Sequence, residues 1–345
     1  MKALALLIND IHVSKDCIGD FVTNWSEMIA VAEQYGVDKV IIGGDLFTSR
    51  SSQTLSVLLA VRNALKVAVT NGIRVIIAPG NHDKVNQNLS ESYPHVFADM
   101  SGVCVIDDYY CLNLFEQTDE VLYVFPYYPE SNGFVDLFLS VVQNCGPKEN
   151  VSIYIHEGVH GALGDFEIPN ELPQDIFQGF RQVLVGHYHN RTKIKGTNIE
   201  YIGASRQHNY GEDEEKGYTI FFEDGSTKFV KNCANVRYAT ITVRADITDD
   251  EMDGLLEEYR NREVEYRIKV KIKCSDSEAK TFDKKRFLDK GVNKVEIVMK
   301  KLEQLDVVSE NINKKFDRHG IKAEYVNYCD MVNVDSSLGL SYMEG

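Results

Sequence analysis

An α/β fold is the class this sequence predicts: a sandwich of buried strands flanked by helices, with a small α+β domain behind it. Three observations predict it. Short apolar runs rich in Val and Ile alternate with longer helix-like stretches through the first two hundred residues. The runs are continuously apolar, as strands covered on both faces require. Near residue 236 the texture changes to alternating strands around a charged helix. Strand–helix–strand order with short links builds layered α/β structures.

In chain order, the strand runs fall at 3–8, 39–42, 73–78, 103–106, 110–114, 121–125, 151–155 and 182–186. Helices are expected at 20–35 and 51–71; in the second, Leu55, Leu58, Leu59, Arg62, Leu65 and Val69 follow spacings near three and four. Gly36 and Gly72 stand where helix C-caps fall, because glycine adopts the left-handed conformation there without a Cβ penalty. Residues 199–202, 217–222 and 227–231 read as a terminal meander with Asp224-Gly225 as its hairpin turn. Further on, strands at 236–243 and 264–273 bracket a charged helix at 248–261, and Lys/Glu-rich helical stretches continue to about residue 319. The expected division is a first domain over 1–235, a small α+β capping domain over 236–290, and a helical partner-binding region and tail over 291–345. Val298, Leu302, Leu305, Ile312 and Phe316 form the apolar stripe of that last region.

The length of 345 residues favours two domains and allows a sizeable core. The apolar start, Ala3 to Ile8, is too short for a signal or a membrane span, so a cytoplasmic protein is expected. Seven scattered cysteines without a CxxC pair point to reduced thiols instead of a disulfide frame or a structural zinc. The net charge is −15; through residue 239 there are 18 Lys and Arg against 30 Asp and Glu, and from residue 240 there are 19 against 22. No basic footprint for nucleic acid exists on this scale. A phosphate ligand must be attracted locally, by metal ions or by a partner subunit.

Five strands end in polar residues of one chemical kind. Strand 3–8 ends in Asn9-Asp10-Ile11-His12, 39–42 in Gly43-Gly44-Asp45, and 73–78 in Gly80-Asn81-His82-Asp83; 151–155 ends in His156, and 182–186 in His187-Tyr188-His189. Singly, an Asp-x-His or a Gly-Gly-Asp is more often a plain loop than a site. Together they hold five of the nine histidines, each beyond a strand's carboxyl end, which is where open α/β sheets bind ligands. Asp, His and Asn donors suit Mn²⁺, Fe²⁺ or Zn²⁺ better than Ca²⁺. There are too many for one ion and about enough for two. Two ions ~3.5–4 Å apart clamp the attacking and leaving oxygens of a phosphoryl displacement. Asp45, alone at its strand end, is the candidate bridge. His82, followed by Asp83, suits a general acid held in one tautomer. His95, His160, His208 and His319 lie outside the pattern and read as structural or surface residues, with His160 and His208 as candidate substrate-side neighbours.

This order of motifs resembles the calcineurin-like metallophosphoesterases over roughly residues 1–235. The resemblance implies that Asp10, His12 and His189 hold a first metal and Asn81, His156 and His187 a second. It also implies that Asp45 bridges them and that His82 serves the proton or the transition-state phosphate. A narrower likeness rests on LPQDIFQGFRQVLVGHYH at 172–189 and YIGASRQHNYGEDEEKGY at 201–218, which are similar to the SbcD-type DNA repair nucleases, short phage versions included. That likeness implies a homodimeric, Mn²⁺-dependent exonuclease and endonuclease acting on DNA ends with a coiled-coil ATPase. Two positions depart from the family pattern: Thr48 stands where Asp or His is usual, and Ser14 where Gly is usual. Thr48 can donate to a phosphate oxygen but cannot act as an acid. The rivals are a protein phosphatase and a cyclic-nucleotide or other small phosphodiesterase. Against the first, Asp45-Leu46-Phe47 lacks the Asp-Arg-Gly of those enzymes, and the third motif ends in Asp83 instead of Glu. The second would not need a domain after residue 236.

Overall fold

A computed structural model describes residues 1–299 apart from 87–88, 116–117, 129–132, 144, 165–167, 169–170, 276–277 and 280–281, together with 325 and 329. Two six-stranded sheets form the body. In the first, β1 (Ala3–Ile8), β2 (Lys39–Gly43), β3 (Arg74–Ala78) and β4 (Val103–Val105) run parallel in that order. The antiparallel pair β11 (Gly217–Phe222) and β12 (Thr227–Lys231) extends it beyond β1. The second sheet contains β5 (Tyr110–Phe115), β6 (Thr118–Val124), β7 (Val151–Ile155), β8 (Gln182–Val185), β9 (Thr192–Lys193) and β10 (Ile199–Tyr201), in the order β5-β6-β7-β8-β10-β9.

Strand alternation explains the layers. In β2, Val40 and Ile42 face one way and Ile41 the other; in β7, Ile153 and Ile155 oppose Tyr154. Ile41, Ile76, Leu122, Val124, Tyr154 and Leu184 form one cluster, the apolar layer between the two sheets. The outer face of the first sheet is covered by α1 (Ile18–Tyr35) and α2 (Leu55–Thr70), through Phe21, Trp25, Met28, Val61 and Leu65. The outer face of the second is covered by α3 (Gly133–Val142), through Phe134, Phe138 and Val142. The central strands β1, β2, β3, β7 and β8 are therefore greasy on both faces, as their sequences require. The fold is the α/β sandwich flanked by helices that the sequence predicts.

Three expectations change. Residues 199–202 do not join a meander with 217–222 and 227–231: β10 lies parallel to β8 in the second sheet, while β11 and β12 lie in the first. The Asp224-Gly225 turn does close the β11–β12 hairpin, with Gly225 at φ 73° and its N–H on the Phe222 carbonyl. Residues 133–142 form a helix where none was expected, because a short apolar run carries no decisive period. Residues 294–299 are not helical. They form β15 (Lys294–Met299), the third strand of a parallel sheet with β13 (Arg237–Arg244) and β14 (Tyr266–Cys274). That sheet packs on α4 (Asp249–Arg260) through Met252 and Leu256, and α4 starts with a Thr248–Glu251 capping box. Of the predicted apolar stripe only Val298 is described, within β15; Leu302, Leu305, Ile312 and Phe316 lie outside the described residues.

Candidate metal centre

The carboxyl ends of β1, β2 and β3 meet those of β7 and β8 across the sandwich. Beyond the strands, the chain after β1 runs beside the chain after β2: Asp10 N donates to Gly44 O (3.1 Å), His12 N to Asp45 O (3.0 Å) and Val13 N to Leu46 O (2.8 Å). The second sheet is tied in by His156 Nδ1, which donates to Gly43 O (2.8 Å), and by His187 N on Asp10 Oδ2 (3.1 Å). Gly44, at φ 109°, lets the backbone pass so close to His156 that a Cβ there would overlap the imidazole. Gly80 does the same for Asp45.

Among the described residues, four non-glycine residues have left-handed backbones, and all four are predicted ligands: Asp10 (φ 49°), His12 (φ 49°), Asp45 (φ 53°) and His187 (φ 85°). Such conformations cost of order 1–3 kcal/mol each and persist where the surroundings over-determine them. They aim the side chains inward. Asp10 Oδ1 lies 3.9 Å from the Nε2 atoms of His12, His156 and His189. Asp45 Oδ2 lies 3.6 Å from His12 Nε2 and 3.3 Å from His156 Nε2. His12 and His189 bring their Nε2 atoms to 3.1 Å. Three overlapping triads of candidate ligand atoms result: Asp10/His12/His189, His12/Asp45/His82 and Asp10/Asp45/His156. Asp10 and Asp45 each belong to two of them. His187 packs edge-on against His156, with ring centroids 5.5 Å apart, and lies outside the triads.

Two observations fit cations at this centre. Asp10 Oδ1 is buried and accepts no hydrogen bond, although the other carboxylate oxygen takes the His187 N–H and the Asn9 amide. An orphaned buried carboxylate oxygen is costly. The Asn81 amide also presents its carbonyl oxygen to the Asp45 carboxylate, at 3.2 and 3.3 Å, and its nitrogen to the Arg50 guanidinium. Oxygen facing oxygen is repulsive unless a cation lies between them; without one, the amide would turn over. The donor set of carboxylates, imidazoles and one amide oxygen is that of a first-row divalent metal.

The electrostatics are those of a crowded buried site. Burial holds His12 down at about 4, against the pull of Asp45 and Asp10. Burial and the neighbouring His156 hold His187 at about 4. Both are thus neutral near pH 7, the state in which imidazole ligates. Burial would raise Asp45, but the charge and hydrogen bond of His156, with His12 and His82, bring it below the ordinary carboxylate range. The same pair raises His156, against its burial.

His82 and Asp83 part company. His82 Nδ1 donates to the Thr48 carbonyl (2.7 Å), which leaves Nε2 as the ring atom able to exchange a proton or take a cation. Asp83 does not back this ring, contrary to expectation. It is fully buried and accepts from the N–H groups of Gly80 (2.8 Å), Leu46 (3.2 Å) and Phe47 (2.9 Å). Its role in the structure is to hold the β2 and β3 loops together, and burial followed by the Asp45 charge pushes its carboxyl up.

Sequence reasoning missed Asn9, Arg206 and Glu212. Asn9 is buried between Gly203 O (3.1 Å) and the Tyr154 hydroxyl (2.9 Å) and touches Asp10. Its place between strand and Asp10 was the available signal. Arg206 and Glu212 belong to the 201–218 segment but have no motif of their own. His208 lies beside the centre, its Nε2 on Asp10 O (2.7 Å), whereas His160 is exposed. A cleft of about 540 Å³ opens over the cluster, lined by Thr48, Arg50, Arg206, Tyr238 and Arg267 among others.

The chain belongs to the calcineurin-like phosphoesterase family, whose model matches residues 4–214. The family uses a dimetal centre and its members are metal-dependent phosphoester hydrolases, and this chain carries the matching Asp/His clusters. Among solved structures it is similar to a Pseudomonas putida nuclease MPE, at 16% identity and TM-score 0.27 over 54% of this chain; it spans 61% of that nuclease's length. It is also similar to a dimetal phosphatase from Danio rerio, at 12% identity and TM-score 0.36, over 57% of this chain and 85% of that one. No helix among the described residues is long and apolar enough to cross a membrane.

Proposed function

We propose that this chain is a dimetal DNA nuclease, the hydrolytic subunit of a complex with a coiled-coil ATPase that acts on DNA ends in repair, recombination or replication. The observation that carries the reading is the form of the cleft. Its wall includes Tyr238 and Arg267 from the β13–β14 sheet, so the cleft extends beyond the family-matched residues. A polymeric diester, which extends past the reacting phosphate, can use that added wall. Arg267 is paired with Asp20 (3.2 Å), and Asp16 also lines the cleft, so the cleft alone offers little net positive charge. A partner that carries the main DNA-binding surface meets that shortfall.

In this reading Asp10, His12 and His189 would hold one ion and Asn81, His156 and His187 the other, with Asp45 shared between them. Bound cations would stabilise charge on the attacking and leaving oxygens of the diester. Mn²⁺ is the proposed metal, with Fe²⁺ and Zn²⁺ as alternatives. His82, its Nδ1 fixed by Thr48 O, presents Nε2 to protonate the leaving oxygen. Arg50 and Thr48 lie at the mouth, where they can donate to phosphate oxygens.

A homodimer through α1 and α2 is part of the proposal. Phe21, Trp25, Met28 and Ile29 are buried against the first sheet and are unavailable. Val22, Leu55, Leu59 and Val67 remain, at 49%, 71%, 46% and 50% exposure.

The test is hydrolysis in Mn²⁺ of three substrates side by side: end-labelled linear duplex, a small phosphodiester and a phosphomonoester, with and without the ATPase. Degradation of the duplex, stimulated by the partner and ATP, supports the nuclease. Turnover confined to the monoester makes the chain a phosphatase, and turnover confined to the small diester makes it a small phosphodiesterase.

A further inference from the structure

The Asp10/His12/His189 triad is gripped by one short segment, residues 206–212. Arg206 Nη2 donates to Ile11 O (3.3 Å) and His12 O (3.4 Å), bracing the left-handed turn at His12. His208 Nε2 donates to Asp10 O (2.7 Å). Glu212 Oε1 accepts from His189 Nδ1 (2.8 Å). The other side of the cluster is held differently: His156 Nδ1 donates to Gly43 O, a carbonyl of the β2 strand in the sandwich core.

Glu212 is the member of this segment that reaches a ligand ring. Its side chain is only 7% exposed, and it has no Lys or Arg partner among the described residues. It is held by the Asn209 amide on Oε1 (2.7 Å) and the His208 N–H on Oε2 (3.0 Å). The segment is anchored in turn to the C-terminal sheet. The Gln207 side chain exchanges two hydrogen bonds with the Tyr238 backbone (3.0 and 3.2 Å), and its amide also reaches Glu212 O (2.9 Å). A carboxylate on the far nitrogen of a ligating histidine fixes its tautomer and raises its basicity. With Nδ1–H committed to Glu212, Nε2 is left as the lone-pair atom, and it is Nε2 that faces Asp10 and His12.

We infer that Glu212 is a positioning residue that sets the affinity of the Asp10/His12/His189 site alone, while the Asp45/His156 side is set by the sandwich core. This rests on the dimetal reading above. It makes the two sites unequal by construction, one rigid and one dependent on a loop clamped to the β13–β14 sheet.

The experiment measures Mn²⁺ binding to the full chain by titration calorimetry and by paramagnetic resonance of the free ion. Wild type should take up two ions. In Glu212→Ala one site should weaken about 10–100-fold, the usual cost of losing such a partner, and the other should not change. Glu212→Gln keeps an oxygen for Nδ1–H and should fall between; being isosteric, it keeps the test valid if the alanine variant folds poorly. Hydrolysis of a small diester by either variant should return to the wild-type rate at saturating Mn²⁺, which a merely structural defect would not allow. Two ions in wild type with equal weakening of both sites, or of neither, in the variants overturns the role of Glu212 alone. Fewer than two ions in wild type overturns the dimetal reading and, with it, this inference.

Discussion

Asp45 reaches both sides of the centre: His12 and His156 through Oδ2, and the His82 N–H through Oδ1 (2.8 Å). Asp45→Asn removes charge from between both sites, so it should weaken both ions, whereas Asp10→Asn should weaken chiefly the His12/His189 side. Metal stoichiometry by atomic emission after dialysis checks this; two ions retained in Asp45→Asn would exclude a shared bridge. His82→Ala should retain metal and lose on the order of 10²–10⁴-fold in rate, as for a lost general acid. The loss should shrink on an activated diester with a good leaving group; equal losses on good and poor leaving groups would reduce His82 to phosphate binding. Asp83 calls for a different measurement. In Asp83→Asn an NH₂ replaces an oxygen that accepts backbone N–H groups. Leaving one such group unpaired should cost about 1–3 kcal/mol. The variant should therefore lower the thermal midpoint, while the rate per folded molecule changes far less than in His82→Ala.

The elements carry out two tasks with the same residues. β1, β2, β3, β7 and β8 are apolar on both faces, which buries them in the sandwich, and they end in polar residues, which places the ligands along one seam. Their recognition from sequence follows from that: a continuous apolar run that stops at Asp, Asn or His is legible without partners. α1 and α2 were legible as helices for the same reason, but the inner stripe of α2 was not: of the positions read from its spacing only Leu65 is buried, and Val57, Val61, Ala64 and Ala68 complete the buried face. Their outer residues were not, since Leu55 and Leu59 have the same chemistry as the buried Leu65 and differ only in which way the helix turns them. Paired substitution of Leu55 and Leu59 by Asp should leave the fold intact and convert the proposed dimer to a monomer in sedimentation at micromolar concentration. An unchanged sedimentation coefficient would place any interface elsewhere.

At the scale of the whole molecule, the third sheet both walls the cleft and bonds to the loop beside it, so the C-terminal part cannot be treated as an appendage. Because β15 completes that sheet, the partner-binding test is best made by removing residues 300–345 and leaving 294–299 in place. The shortened chain should still hydrolyse a small diester in Mn²⁺ and lose ATP-stimulated degradation of duplex; normal duplex degradation would locate the docking site outside the removed residues.

By itself the sequence determined the class of fold, the strand ends and the identity of the donors, because burial and ligation are each written in residue type: Val and Ile where both faces are covered, Asp, His and Asn where they stop. Tertiary structure alone decided which donors meet. It placed Asp10 and Asp45 in two triads each and set His187 to one side of them. It turned Asp83 away from His82 toward three backbone N–H groups, and gave the His82 ring to Thr48 O instead. It also assigned β10 to one sheet and β11 to the other, and brought Glu212 to His189. These are pairings across the sandwich or around a loop. A hydrogen bond depends on distance and direction between residues far apart in the chain, and neither is encoded in the local pattern from which strands, helices and ligand types are read.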